Sequence, residues 1–63
     1  MARMDFEFVG STSQKLSLDP AEYSGMSVVR ITEELLRTLK AIAPGVSFFE
    51  EDVVMAADAL AGR

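Results

Sequence analysis

The sequence predicts an α+β fold: an N-terminal β-hairpin, a short third strand and two C-terminal helices, assembled as a dimer. Three observations carry this expectation. Two short runs alternate apolar and polar residues around a Gly/Ser break. Two later stretches place apolar side chains at helical spacing. The chain has 63 residues and no cysteine. So small a domain buries only about 60 % of its unfolded surface and needs reinforcement, and association is the route left open.

Asp5-Phe6-Glu7-Phe8-Val9 puts Phe6 and Phe8 on one face and Glu7 on the other. Gly10-Ser11-Thr12-Ser13 is turn material, and Lys15-Leu16-Ser17-Leu18 alternates again. Asp19 followed by Pro20 and Glu22 favours one helical turn, which Gly25 can end. Ser27–Ile31 reads as the third strand, with Val29 and Ile31 on one side and Val28 and Arg30 on the other. Thr32 then caps a helix whose stripe is Leu35, Leu36, Leu39, Ile42 and Ala43. Glu33 stands four residues before Arg37, the favourable order for a surface pair. Pro44 stops this helix. Ser47 and Glu50 have capping-box spacing, so the last helix is expected to open at Ser47. Phe49, Val53, Ala56, Ala57 and Leu60 form its stripe, with Phe48, Met55 and Ala59 on a flank. Phe49 is expected in the core and Met55 as packing filler. A helix apolar around most of its girth implies burial on two sides, one of them against a second copy.

One domain spans residues 1–63: a hairpin and helical turn over 1–26, then strand-helix-helix over 27–63. The net charge is −4, unevenly spread. Residues 27–43 carry Arg30, Arg37 and Lys40 against Glu33 and Glu34, and form the only basic segment. Residues 44–63 carry Arg63 against Glu50, Glu51, Asp52 and Asp58. An acidic chain repels nucleic acid unless its basic groups share one face. The start MARMDFEFVG has no basic stretch leading into an apolar run, and no apolar tract approaches the ~20 residues that span a bilayer. A soluble, cytoplasmic protein with no membrane partner is therefore expected.

No catalytic constellation is visible, so the chain is not expected to be an enzyme and no cofactor is expected. There is no histidine, the commonest general base, and with no cysteine either the usual zinc ligands are missing. The Glu50-Glu51-Asp52 cluster reads as a solvated first turn complementing the helix dipole rather than a cation site. The scattered glycines form no phosphate loop.

Over residues 27–62 the order strand, capped helix, break, capped helix resembles the ribbon-helix-helix family of small dimeric regulators. The resemblance implies a homodimer whose paired strands read the DNA major groove. Val28 and Arg30 would then be the outward reading positions. Backbone at Ser47 and Phe48 would meet a phosphate. The chain would be a regulator of antitoxin type. The charge implies something else: an acidic protein-interaction module, such as a phage-type inhibitor or accessory subunit. It would meet a protein partner through Phe48, Glu50, Glu51 and Asp52, or through the Phe6/Phe8 hairpin. The three acids would repel the phosphate that the helix dipole attracts, so the two readings make opposite electrostatic demands on one turn.

Overall fold

A computed structural model describes residues 3–62. Strands β1 (Met4–Val9) and β2 (Ser13–Leu18) form an antiparallel hairpin, followed by a 3₁₀ turn (Pro20–Tyr23) and helices α1 (Val28–Ile42) and α2 (Glu50–Leu60). Phe6 pairs with Leu16 and Phe8 with Gln14 across the hairpin. The Gly10 N–H donates to the Thr12 carbonyl, closing the turn. Pairing alternates along an antiparallel ladder. Phe6 and Phe8, in step with Gly10, therefore turn their backbone groups toward β2. Asp5, Glu7 and Val9 turn theirs away.

The core lies between the inner face of the hairpin and the two helices. Phe8, Ile31, Leu35, Leu39, Val53, Ala56, Ala57 and Leu60 are buried. Met4, Phe6, Leu16 and Leu18 pack against this cluster from the hairpin. Most of the expected stripes supply the core and the expected hairpin covers it, but Ile42, at the end of the first stripe, is 46 % exposed. The Asp19 carboxylate accepts from the Ala21 N–H at 3.0 Å and caps the 3₁₀ turn. Gly25 follows at φ +82°, a left-handed conformation that glycine adopts without strain.

Five local expectations are corrected. Ser27–Ile31 is not a strand: α1 begins at Val28, and the Ser27 hydroxyl accepts from the Arg30 N–H at 3.1 Å as its cap. The β-branched run favoured a strand, but the Ile31-Leu35-Leu39 spacing extends the helical stripe back by a turn. Helical burial of Ile31 overrides local propensity. Thr32 therefore lies inside the helix and donates to the Val28 carbonyl at 2.8 Å. Val29, which the strand reading sets on one side with Ile31, is 70 % exposed while Ile31 is buried. Arg37 pairs with Glu34, three residues before it, at 3.0 Å rather than with the expected Glu33, four before it. Finally, α2 opens at Glu50 with Phe49 as cap residue and no side-chain capping bond, so the Ser47–Glu50 box does not form.

The last correction has a tertiary cause. Ser47–Phe49 is extended and bridges antiparallel to Gly10 through Phe48, and the Phe49 N–H donates to the Val9 carbonyl at 3.1 Å. Paired residues share a face, and neighbours in an extended segment alternate. Phe48, opposite Gly10, turns to the core, while Phe49 is 61 % exposed. The core assignment of Phe49 is thus reversed.

Two substitutions test this packing. Leu39→Ala, at a buried mid-helix position, is expected to cost roughly 2–5 kcal/mol in denaturant unfolding; a parent-like midpoint would contradict the register of α1. A Cβ on Gly10 would stand 1.8 Å from the Ser47 carbonyl oxygen, a backbone atom that cannot swing aside. Gly10→Ala is expected to lose about 1–3 kcal/mol or more by forcing the two segments apart, read by the same unfolding curves.

Candidate functional site

A main-chain bridge and one side-chain bond join the hairpin tip to the start of α2. Phe48 bridges Gly10, the Val9 carbonyl accepts from the Phe49 N–H, and the Val9 N–H reaches the Asp52 carboxylate at 3.4 Å, the long end of hydrogen-bond range. The outward backbone groups of Val9 are therefore occupied. Those of Asp5 and Glu7, further along the same edge of β1, meet no such segment among the described residues.

Beyond Val9 the edge borders a groove of about 310 Å³ lined by Phe6, Glu7, Asp52, Met55, Ala56 and Ala59. Its floor is apolar and its two polar walls are both carboxylates. Met55 is 70 % exposed, which corrects its expected role as packing filler on the flank of this helix. It lies on the flank of α2 away from Val53, Ala57 and Leu60, so its thioether faces the groove mouth and solvent. A second, shallow depression of about 410 Å³ lies on the hairpin between Asp5, Glu7, Lys15 and Ser17. Ser13 donates to the Glu7 carboxylate, and the Arg3 guanidinium donates to the Ser17 hydroxyl at 3.1 Å and carbonyl at 2.7 Å.

The residues singled out for DNA are not brought together. Val28 is half-buried against the core and Arg30 is exposed, both in the first turn of α1. No ribbon strand carries them. Arg30 lies about 18 Å along the helix axis from Ile42, beyond which Ser47 follows, taking 1.5 Å per residue. Of the residues singled out for a protein partner, Phe48 is committed to the core and Asp52 to Val9, while Glu50 and Glu51 are exposed. Among the described residues no three His, Cys, Asp or Glu side chains gather as a metal site, and no helix is long and apolar enough to cross a membrane.

Glu7, Met55 and Ala59 of the groove were not singled out by sequence. The alternation of β1 placed Glu7 on the face opposite Phe6, but nothing local says which helix flank would lie beside that edge.

The chain's single tyrosine, Tyr23, has its pKa raised above 10.0, first by burial and then by the carboxylates of Glu22 and Glu34. The folded state therefore holds this proton more tightly than the unfolded chain. Stability is unaffected below the unfolded pKa and falls as pH rises through it toward the folded value. With no tryptophan present, phenolate absorbance follows Tyr23 alone. Titration is expected to occur above the free tyrosine midpoint, and Glu34→Gln to move it back down. An unshifted midpoint would contradict the packing of Tyr23.

No protein-family model matches the chain, and no curated protein or solved structure does either.

Proposed function

We propose that the chain is a non-enzymatic, acidic protein-interaction module whose partner is basic. The carrying observation is the groove between β1 and α2, an apolar floor with the carboxylates of Glu7 and Asp52 on its walls. Asp5 adds a third carboxylate on the same strand. Arg37–Glu34 is the one ion pair within 4.0 Å among the described residues; Glu7 has Lys15 directly across the hairpin and accepts from the Ser13 hydroxyl, while Asp5 stands opposite the uncharged Ser17. An acidic rim around apolar surface favours basic partners and speeds their encounter.

The DNA-binding regulator draws less support. Its reading strand would be Ser27–Ile31, which is helical from Val28 onward, and its phosphate contact would face Glu50, Glu51 and Asp52. A homodimer has one observation of its own: Phe49, Val54 and Met55 leave exposed apolar surface around α2. A second copy seated there would cover Met55 and close the groove, so dimer and basic partner compete for that side chain.

Electrophoretic shift with duplex DNA at low salt, sedimentation at micromolar concentration, and quantitative capture from the native host by parent and by an Asp5→Asn, Glu7→Gln variant together decide. The expected result is no DNA shift, a monomer, and a basic protein retained by the parent and lost by the variant. Salt-dependent DNA binding by the parent would overturn the proposal in favour of the regulator. A dimer whose capture is unchanged in the variant would overturn it in favour of self-association.

A further inference from the structure

We infer that the open edge of β1 at Asp5 and Glu7 accepts an extended, antiparallel segment alternating basic and apolar residues, which adds to the hairpin as a third strand. This inference rests on the interaction-module reading and specifies its binding mode. Asp5 and Glu7 each turn an N–H and a carbonyl away from β2, by the same alternation that turns Val9 toward Phe49 and Asp52. The edge is thus closed at its tip and open over the preceding residues. The molecule already uses strand pairing here, since Ser47–Phe49 bridges beside Val9 and Gly10. An incoming strand would continue that edge.

The side chains specify what such a strand must carry. Residues directly opposite Asp5 and Glu7 would lie on the outer face, beside two carboxylates. Cationic side chains complement them. The residue between would point to the inner face, over the groove floor of Phe6, Met55 and Ala59. An apolar side chain fits there. Main-chain bonds would supply affinity and the alternating side chains specificity, as in other strand additions.

Charge argues against a second copy of β1 as the occupant. Two-fold pairing centred on Phe6 sets each Asp5 opposite the Glu7 of its mate, and like charges directly opposed destabilise. Centring on Asp5 opposes the two Asp5 carboxylates, and although it sets Arg3 opposite the mate's Glu7, that guanidinium already donates to Ser17. Centring on Glu7 requires Val9, whose backbone is occupied.

The test uses the full chain and labelled synthetic peptides. One alternates lysine and valine. One has the same composition in two blocks. Two are alternating peptides N-methylated at either the lysine or the valine amides. The alternating peptide is expected to bind about tenfold or more tightly than the block peptide. Lysine-amide methylation should abolish binding, because those amides face β1, whereas valine-amide methylation should leave it intact. Binding should slow amide exchange at Asp5 and Glu7, and Met55→Gln, at an exposed position that leaves the fold intact, should weaken it several-fold. Equal binding of alternating and block peptides, lost together in the Asp5→Asn, Glu7→Gln variant, would overturn strand addition while leaving an acidic module that binds by charge alone. Failure of every basic peptide, together with failure to retain any basic protein, would remove both readings. Concentration-dependent protection of Asp5 and Glu7 without peptide would overturn the inference in favour of a second copy.

Discussion

The pairing of the hairpin tip with the segment that leads into α2 is the constraint on which the rest of the molecule depends. Val9 and Gly10 of the tip meet Ser47, Phe48 and Phe49 through a backbone bridge, and Asp52 adds its carboxylate. That contact delays the start of α2 to Glu50. It turns Phe48 inward and Phe49 outward. It also lays β1 along α2, so that Phe8 reaches the buried cluster of Ile31, Leu35, Leu39 and Val53. Glycine at position 10 is a condition of this contact, because any side chain there would meet the Ser47 carbonyl. The chain has neither disulfide nor histidine. Joining its two halves falls to this short stretch of main-chain pairing and to the apolar contacts beside it.

The features legible in the sequence are those whose cause is local. The alternation of Phe6 and Phe8 around a glycine turn gave a hairpin. Asp19-Pro20 gave a capped 3₁₀ turn, and the spacing of Leu35, Leu39, Val53, Ala57 and Leu60 gave two helices with their buried faces. The features that escaped have distant causes. Val28–Ile31 has the composition of a strand, yet Ile31 is buried as the first rung of a helical stripe. Ser47 and Glu50 have capping spacing, yet Ser47 is drawn into pairing with a residue far away in sequence. The order of Phe48 and Phe49 follows from that pairing and could not be read from their neighbours. The candidate groove is hidden for the same reason, since Glu7 and Met55 meet only once hairpin and helix are docked.

For function, this reassignment of one segment has the largest consequence. A strand at Ser27–Ile31 would have offered Val28 and Arg30 side by side to a DNA groove. As the first turn of a helix it sends Val28 toward the core and leaves Arg30 alone at the surface. The acidic side of the molecule instead gathers around an exposed strand edge. An unpaired edge is a liability that proteins blunt with charge, by covering it, or by reserving it for a partner. Here the tip is covered by Ser47–Phe49, and the remainder carries Asp5 and Glu7, the edge we propose for a basic strand.

Native-state amide exchange along β1 tests this account most directly, because one experiment reads every backbone group on both edges. Phe6 and Phe8, bonded to β2, should exchange slowly, and exchange at Val9, held by Asp52, should be slowed. Asp5 and Glu7 should exchange fast despite their place in the same strand. Val9 exchanging as fast as Glu7 would contradict the docking of the hairpin tip on α2, and Glu7 protected as well as Phe6 in the free protein would contradict an open edge.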